Sequence, residues 1–187
     1  IEWIQEQKIE DFAIEVSREL LAEDILLNCE REFISFDCGE RSHELNCLTL
    51  YFGKFKQAEK SLVLISENQK LVSNEKITSK AKPHSLQSYL YELNAGIDCA
   101  NLYSELLKQL PETFFLQPNF LTSAQLLNNP FFKNRFQVLE TAQTEQELIE
   151  KLKKLQAQKI VLRGQIPEQK YAETKSRIES NLHGTEK

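Results

Sequence analysis

The chain has 187 residues, of which 41% are hydrophobic and 27% are charged, fractions typical of a globular protein that exclude a disordered or fibrous one. Its longest apolar runs are far shorter than the roughly 18 residues that cross a bilayer, so no transmembrane span is expected. The net charge of −5 is unevenly distributed, because residues 1–50 carry −9 and the remainder carries +4.

The N terminus and the cysteine content indicate the cellular compartment of the protein. Residues 1–8 lack the basic region and apolar core of a secretory signal. Four cysteines in 187 residues are too few for a disulfide scaffold, so reduced thiols in the cytoplasm are expected. Because the sequence contains no methionine, we also expect the native start to lie outside these residues.

The first predicted element is an amphipathic helix over residues 2–23. Apolar side chains follow helical spacing there, with glutamate and glutamine between them and no glycine or proline. Four stretches rich in β-branched and aromatic residues then predict strands, at 25–36, 45–52, 61–66 and 70–78. Turn residues and short connections between them favour an antiparallel meander of three to four strands.

A long central helix is predicted from His84 to Leu110, since leucines recur there at spacings of three and four, and Pro111 ends the pattern. Beyond it the pattern alternates between strand and helix and predicts a β-α-β-α-β segment, which favours a small parallel sheet. The strands are expected at 114–117, 136–141 and 159–163, and the helices at 122–128 and 144–155.

Helix ends are also predicted in the last third of the chain. Thr144 and Glu147 form a capping box at the start of the helix 144–155. A last helix is expected from Pro167 to about Ser180, followed by a polar tail.

The predicted fold class is therefore α+β, with an N-terminal helix, an antiparallel meander of three to four strands, a long central helix and a small β-α-β-α-β segment. We expect one part at 1–112, with the helix, the antiparallel sheet and the long helix, and a second part at 113–187, a small α/β segment with a polar C-terminal tail. A single shared core stays open as the alternative.

The glycine content argues against the standard phosphate-binding loops. The five glycines lie at positions 39, 53, 96, 164 and 184, too far apart for G-x-G-x-x-G or a P-loop. Nucleotide binding through a backbone cradle is therefore not expected, although a ligand held by side chains stays open. No cofactor is predicted.

One cluster contains the residue types that bind zinc. Cys29, Cys38, His43 and Cys47 supply three thiolates and one imidazole, the set that suits tetrahedral zinc. Their spacing, C-x8-C-x4-H-x3-C, lacks the close pairs of structural zinc sites. Buried strand cysteines that pack as small apolar residues are the favoured alternative.

Acidic residues around the first two predicted strands are the candidate catalytic groups. They are Glu30, Glu32, Asp37 and Glu40, with His43 in the turn between the strands. Such a cluster could serve a metal-dependent hydrolase or nuclease. A solvated strand edge explains the same charges without catalysis, and we favour it.

A lysine-rich stretch is the candidate surface for nucleic acid. Residues 54–82 hold seven lysines and three glutamates, with aromatic residues at 51, 52 and 55. The stretch lacks arginine and the whole chain is acidic, so nucleic acid is disfavoured as a partner. The lysines are at positions 54, 56, 60, 70, 76, 80 and 82.

The absence of a catalytic pattern favours a non-enzymatic protein-protein interaction function, such as an adaptor or accessory subunit of a larger assembly. A protein partner is expected, and a homo-oligomer stays open. The first alternative is the metal-dependent hydrolase or nuclease, and the second is a nucleic-acid-binding module that uses the lysine-rich strands. The sequence leaves open whether the protein is an enzyme, and a non-enzyme is favoured.

Overall fold

The computed structural model describes residues 6–17, 28–36, 45–75, 82–163 and 166–182. These ranges form an α+β protein with two sheets, and the chain divides into two compact units, Ile1–Gln137 and Val138–Lys187. The strands are β1 Ala13–Val16, β2 Glu30–Ser35, β3 Leu45–Tyr51, β4 Lys60–Leu64, β5 Gln69–Ser73, β6 Tyr89–Leu93, β7 Thr113–Gln117, β8 Phe120–Ser123 and β9 Phe132–Gln137. The helices are α1 Ala95–Cys99, α2 Tyr103–Gln109, α3 Glu145–Lys154 and α4 Glu168–Glu179.

The larger sheet has five strands in the order β1-β3-β2-β4-β5. Its strands pair antiparallel except β2 and β4, which run parallel. One face is apolar, because Phe33 lies between Leu48 and Leu62 in the register and Leu62 lies beside Leu71. These four side chains are buried, and burial of each contributes about 1.5–3 kcal/mol to folding.

The smaller sheet has four strands in the order β7-β8-β6-β9, and all of them pair antiparallel. Tyr91 on β6 is fully buried at its centre, opposite Leu121 on one side and Arg135 on the other. Its ring stacks on Phe132, and its hydroxyl donates to the carbonyl of Gln125 at 2.6 Å. The tyrosine therefore fixes the segment after β8 to the centre of the sheet.

A buried asparagine connects the two sheets within the first unit. The Asn94 side chain donates to Ser35 Oγ on β2 at 3.0 Å and accepts from the Gly96 N–H at 2.8 Å, which caps α1. Its backbone N–H donates to the carbonyl of Phe131. Gly96 backs directly onto Leu62, so a larger residue there would collide with the core of the larger sheet.

The second unit is built on the two helices α3 and α4. Thr144 caps α3 by accepting from the Glu147 N–H at 3.2 Å, which confirms the predicted N-cap. Arg177 on α4 makes a bidentate ion pair with Glu145 on α3, and both N···O distances are 2.8 Å. Helix α4 lies close to the position predicted for the last helix.

The predicted N-terminal helix is wrong in the part that the structure describes. Ala13–Val16 forms strand β1, which pairs antiparallel with β3. Ile14 and Val16 are half-buried while Ala13 and Glu15 are exposed, the alternation of a strand. β-branched residues favour this state, and the pairing partner lies more than 30 residues away, beyond the reach of a local pattern. Residues 1–5 and 18–23 of that prediction lie outside the described residues.

The predicted long central helix is also wrong. Residues 89–93 form strand β6, and the helical part is broken into α1 and α2. The leucine spacing that suggests a helix coexists with a strand alternation in which Tyr91 and Leu93 point to the buried face. Asn94 then starts a new helix by capping, and Asn101 separates α1 from α2 with a φ of 48°.

The meander and the β-α-β-α-β segment require correction as well. Strand β2 lies between β3 and β4 and runs parallel to β4, so the first strands do not form a simple meander. Strand β8, at 120–123, includes the first two residues of the helix predicted at 122–128. The next strand starts at Phe132, and 159–163 is not a strand. Asn119, at a φ of 66°, makes the turn that joins β7 and β8 as an antiparallel pair.

None of the helices in the described ranges combines the length and apolarity that a bilayer crossing requires. The boundary predicted between residues 112 and 113 stays a prediction.

Candidate functional site

Strand β2 places two acidic side chains on the face of the larger sheet that lies opposite its apolar core. Glu30 and Glu32 are two residues apart and therefore point to the same side, whereas Phe33 points into the core. Glu30 is 2% exposed and Glu32 is 9% exposed. Buried carboxylates are costly unless hydrogen bonds and cations compensate them, so their partners define what this cluster does.

Glu30 holds the loop that joins β3 to β4. Its Oε2 accepts the backbone N–H groups of Gln57 at 2.8 Å and Ala58 at 3.0 Å. Its Oε1 accepts the hydroxyl of Ser61 at 3.1 Å. Three hydrogen bonds from fixed donors stabilise the carboxylate in its buried position and tie the loop to β2.

Glu32 is bonded to side chains on the adjacent strand β3 and on β5, which lies two strands away beyond β4. The Tyr51 hydroxyl donates to Oε1 at 2.8 Å, and Lys70 Nζ lies 2.6 Å from Oε2. Lys70 Nζ is also 3.9 Å from Glu30, so one lysine serves both carboxylates. We call the group of Glu30, Glu32, Tyr51, Ser61 and Lys70 the carboxylate cluster.

The electrostatics of the carboxylate cluster keep its phenol protonated. Burial, followed by the hydrogen bond to Glu32, raises the pKa of Tyr51 to about 12. At neutral pH the Tyr51 hydroxyl therefore remains a donor to Glu32. Two carboxylates against the single cation Lys70 leave the cluster with a net negative charge.

The bonding of the carboxylate cluster indicates an anchor rather than a pair of catalytic acids. Each oxygen of Glu30 and Glu32 already accepts from a protein donor. A general base would need a carboxylate oxygen directed at a substrate proton. What the cluster does instead is fix the geometry of the β3–β4 loop beside it.

That loop supplies most of the lining of a cavity of about 240 Å³. It lies at the end of the sheet where β3 and β5 finish and β4 begins. Within the loop, Lys56 and Glu59 form an ion pair at 2.7 Å, and both side chains are about four-fifths buried. We call it the loop cavity, and its lining residues are Gly53, Lys56, Gln57, Ala58, Glu59 and Asn74.

The structure brings together two of the five predicted catalytic candidates. Glu30 and Glu32 share the carboxylate cluster. Asp37, Glu40 and His43 lie outside the described residues. A catalytic role for this set stays a prediction.

The cysteines predicted as metal ligands are described in part. Cys29 is buried and Cys47 is half-buried, both as free thiols, while Cys38 and His43 lie outside the described residues. Burial raises the pKa of the Cys29 thiol and, together with Glu15 and Glu32, that of the Cys47 thiol. Among the residues with described positions, no three His, Cys, Asp or Glu side chains group as metal ligands. The zinc hypothesis for the full set stays a prediction.

Most lysines of the predicted nucleic-acid surface that have described positions are engaged within the protein. Lys54 pairs with Asp11, Lys56 with Glu59, and Lys70 with Glu32. Lys60 is half-buried, with its ammonium 3.4 Å from the carbonyl of Asn101. Burial, together with the nearby Arg31, lowers the pKa of Lys60. Lys76 and Lys80 lie outside the described residues.

Sequence reasoning missed the partners that complete the site. Tyr51, Ser61 and Lys70 meet Glu32 only because β2 lies between β3 and β4 in the sheet. Gln57 and Asn74 approach the same cavity because β5 returns beside β4. No motif or spacing signals these contacts, since each depends on strand order.

No protein-family model matches the chain, and no curated protein matches it in sequence. Among solved structures, the fold is similar to a crystal structure from Porphyromonas gingivalis W83 described as a "putative methyltransferase". The likeness covers 100% of this chain with a TM-score of 0.63 at 15% sequence identity. This chain corresponds to 49% of that one, about half its length.

The comparison contradicts the function predicted from the sequence. The prediction was a non-enzymatic adaptor or accessory subunit, with a metal-dependent hydrolase or nuclease and a nucleic-acid-binding module as alternatives. The structural neighbour is described as an enzyme of a different class. The prediction failed because it relied on the absence of catalytic motifs, which says little when the reacting residues of an enzyme are scattered or lie elsewhere.

Proposed function

We propose that this chain is part of a methyltransferase and that it binds the methyl acceptor rather than the methyl donor. The supporting observation is the fold likeness over all of its residues to a protein described as a "putative methyltransferase". The assignment of this chain to the methyl acceptor, and not to the methyl donor, rests on the sheet topology and on the site.

The described sheets are poorly suited to a nucleotide-type methyl donor. Such ligands bind in open α/β sheets at the carboxyl ends of parallel strands, beside a glycine-rich turn and a helix N terminus. In the ranges with described structure, β2 and β4 are the one parallel pair of strands. The five glycines are dispersed along the chain. We therefore assign donor binding to a part of the enzyme other than these residues.

The loop cavity is the feature best suited to the acceptor. It is an open depression with polar side chains from the loop and from Asn74, and the buried Glu30 carboxylate fixes its loop through two backbone N–H groups. A site held in this way loses little free energy to ordering when a ligand binds. The acceptor would enter with its reacting atom directed outwards, toward the donor.

The cytoplasmic location and the protein partner expected from the sequence belong to this proposal as predictions only. The partner is tested in the same preparation, because gentle purification from the native cells retains a stable partner.

The proposal is tested with the protein at its natural length, purified from its own cells. It is incubated with S-adenosylmethionine labelled in the methyl group and with separate RNA, protein and small-metabolite pools from the same cells. We expect label in one pool. In parallel, calorimetry with S-adenosylmethionine should show binding to the natural-length protein and none to residues 1–187 alone.

Absence of label in every pool, with a natural-length protein that binds no donor, would overturn the proposal. Donor binding by residues 1–187 as tight as that of the natural-length protein would overturn the assignment of this chain to the acceptor. A heat-denatured sample of the natural-length protein is the control for non-enzymatic methylation.

A further inference from the structure

Two side-chain amides in the loop cavity have no partner within the described part of the chain. Gln57 lies on the β3–β4 loop and Asn74 follows β5, and both are exposed. Neither makes a side-chain hydrogen bond to another described residue. Each amide offers one acceptor oxygen and two N–H donors. In each of these two amides, an N–H donor and an oxygen acceptor lie side by side, and no described residue of the protein bonds to them.

The backbone around these amides is fixed. Gln57 N–H donates to Glu30, and Glu59 N–H donates to the carbonyl of Ser73 at 3.1 Å. The Lys56 N–H closes a tight turn onto the carbonyl of Gly53 at 3.2 Å. The amides of Gln57 and Asn74 thus extend from a preorganised frame, the arrangement that ligand sites require.

The charges in the cavity are balanced. Lys56 contacts both Glu59 and Asn28, with N···O distances of 2.7 Å and 2.9 Å. Because this ion pair neutralises the two charged lining residues, a charged ligand would gain little from either of them. An uncharged polar ligand keeps the ion pair intact and meets the two amides.

We propose that the loop cavity binds a neutral, planar group with adjacent hydrogen-bond donors and acceptors, such as an amino-substituted heterocycle or a primary carboxamide. Asparagine and glutamine recognise such edges through paired hydrogen bonds. A cavity of about 240 Å³ accommodates one or two rings. This inference rests on the proposed function in one respect: the bound group would be part of the methyl acceptor.

The test is an NMR titration of isotope-labelled protein with adenine, cytosine and nicotinamide as probes. We expect at least one probe to cause saturable shifts confined to the amide signals of residues 53–59 and 74. Gln57→Ala and Asn74→Ala should each weaken that binding about tenfold, the value of one good hydrogen bond. Gln109→Ala, which changes an exposed glutamine on α2, is the matched control and should leave the affinity unchanged.

Benzoate and benzylamine, which are planar but charged, should bind about tenfold or more weakly than the best neutral probe, because the Lys56–Glu59 pair compensates its own charges. Shifts outside the cavity, no saturable shift at millimolar probe, or equal affinity in the two cavity variants would overturn the inference.

The methyl-transfer assay gives an independent result. If the probes bind but the protein transfers no methyl group, only the proposed function is contradicted. If the protein transfers methyl groups but binds none of the probes, only the ligand class inferred here is contradicted.

Discussion

At the scale of single residues, the β3–β4 loop is held from both sides by carboxylates. Glu30 on β2 accepts two of its N–H groups, and Asp11 accepts the Lys54 N–H at 2.7 Å. Immediately before Lys54, Gly53 adopts a φ of 60°, which residues other than glycine rarely tolerate. The cavity therefore depends on a few residues that lie far apart in the sequence.

Glu30→Ala should lower the free energy of unfolding by about 2–3 kcal/mol, because it leaves buried N–H donors without an acceptor. The measurement is equilibrium denaturation with urea. Glu15→Ala on strand β1 of the same sheet is the control, and at that exposed position we expect a change within about 0.5 kcal/mol. Equal losses in the two variants would contradict the anchoring role of Glu30.

Gly53→Ala should destabilise the protein by about 2 kcal/mol, since it combines backbone strain with a steric clash. An added Cβ would collide with Asp11 Oδ1 and with the carbonyl of Glu10. Thermal unfolding should show a lower Tm, whereas Lys54→Ala, which removes only an exposed ion pair with Asp11, should have little effect. An unchanged Tm in Gly53→Ala would show that the turn relaxes without cost.

The acidic part of the cluster could be proposed from the sequence, and the rest could not. Glu30 and Glu32 stand out as charges on a predicted strand. Their pairing with Lys70 depends on the parallel neighbours β2 and β4, a non-local contact that leaves no local pattern. The same holds for Gln57 and Asn74, whose residue types are common in exposed turns.

At the scale of helices and strands, a sequence pattern predicts an element correctly when the interactions that stabilise the element lie within it. The helix α3 follows from its Thr144 N-cap and its apolar spacing, both of which act within one or two turns. Strand β6 was misread as helix because leucine and tyrosine at mixed spacings fit both periods. Its strand state is decided by pairing with β8 and β9, whose paired residues lie 28 to 48 positions further along.

The contact between α3 and α4 predicts a pH dependence. The Arg177 guanidinium holds the pKa of Glu145 below its usual value of 4.5. A lowered pKa in the folded state means that the stabilisation is complete above pH 4.5 and disappears as the pH falls through the lowered pKa. NMR titration of the Glu145 carboxyl carbon should show this pKa, and Arg177→Gln should return it toward the usual value. An identical titration in both proteins would contradict the ion pair.

At the scale of the whole molecule, the main apolar core lies within the first unit. Its buried members run from Cys29 to Phe132. The second unit has buried residues of its own, including Ile149 and Ile178. The two sheets and their core are therefore contained in residues 1–137.

Two fragments test this organisation together with the boundary predicted from the sequence. We expect residues 1–137 to unfold cooperatively and to keep the near-ultraviolet circular dichroism of buried tyrosine. Residues 1–112 should not, because β6 would lose both of its neighbours, β8 and β9. A cooperative fold in the shorter fragment would instead support the predicted boundary at 112/113.

The most direct test of the central claim is the steady-state kinetics of methyl transfer by the natural-length protein, using the pool that takes up label. We expect Gln57→Ala to raise KM for the acceptor about tenfold, the value of one hydrogen bond, and to leave KM for S-adenosylmethionine unchanged. A rise in KM for the donor alone, or no methyl transfer by the unaltered protein, would contradict it.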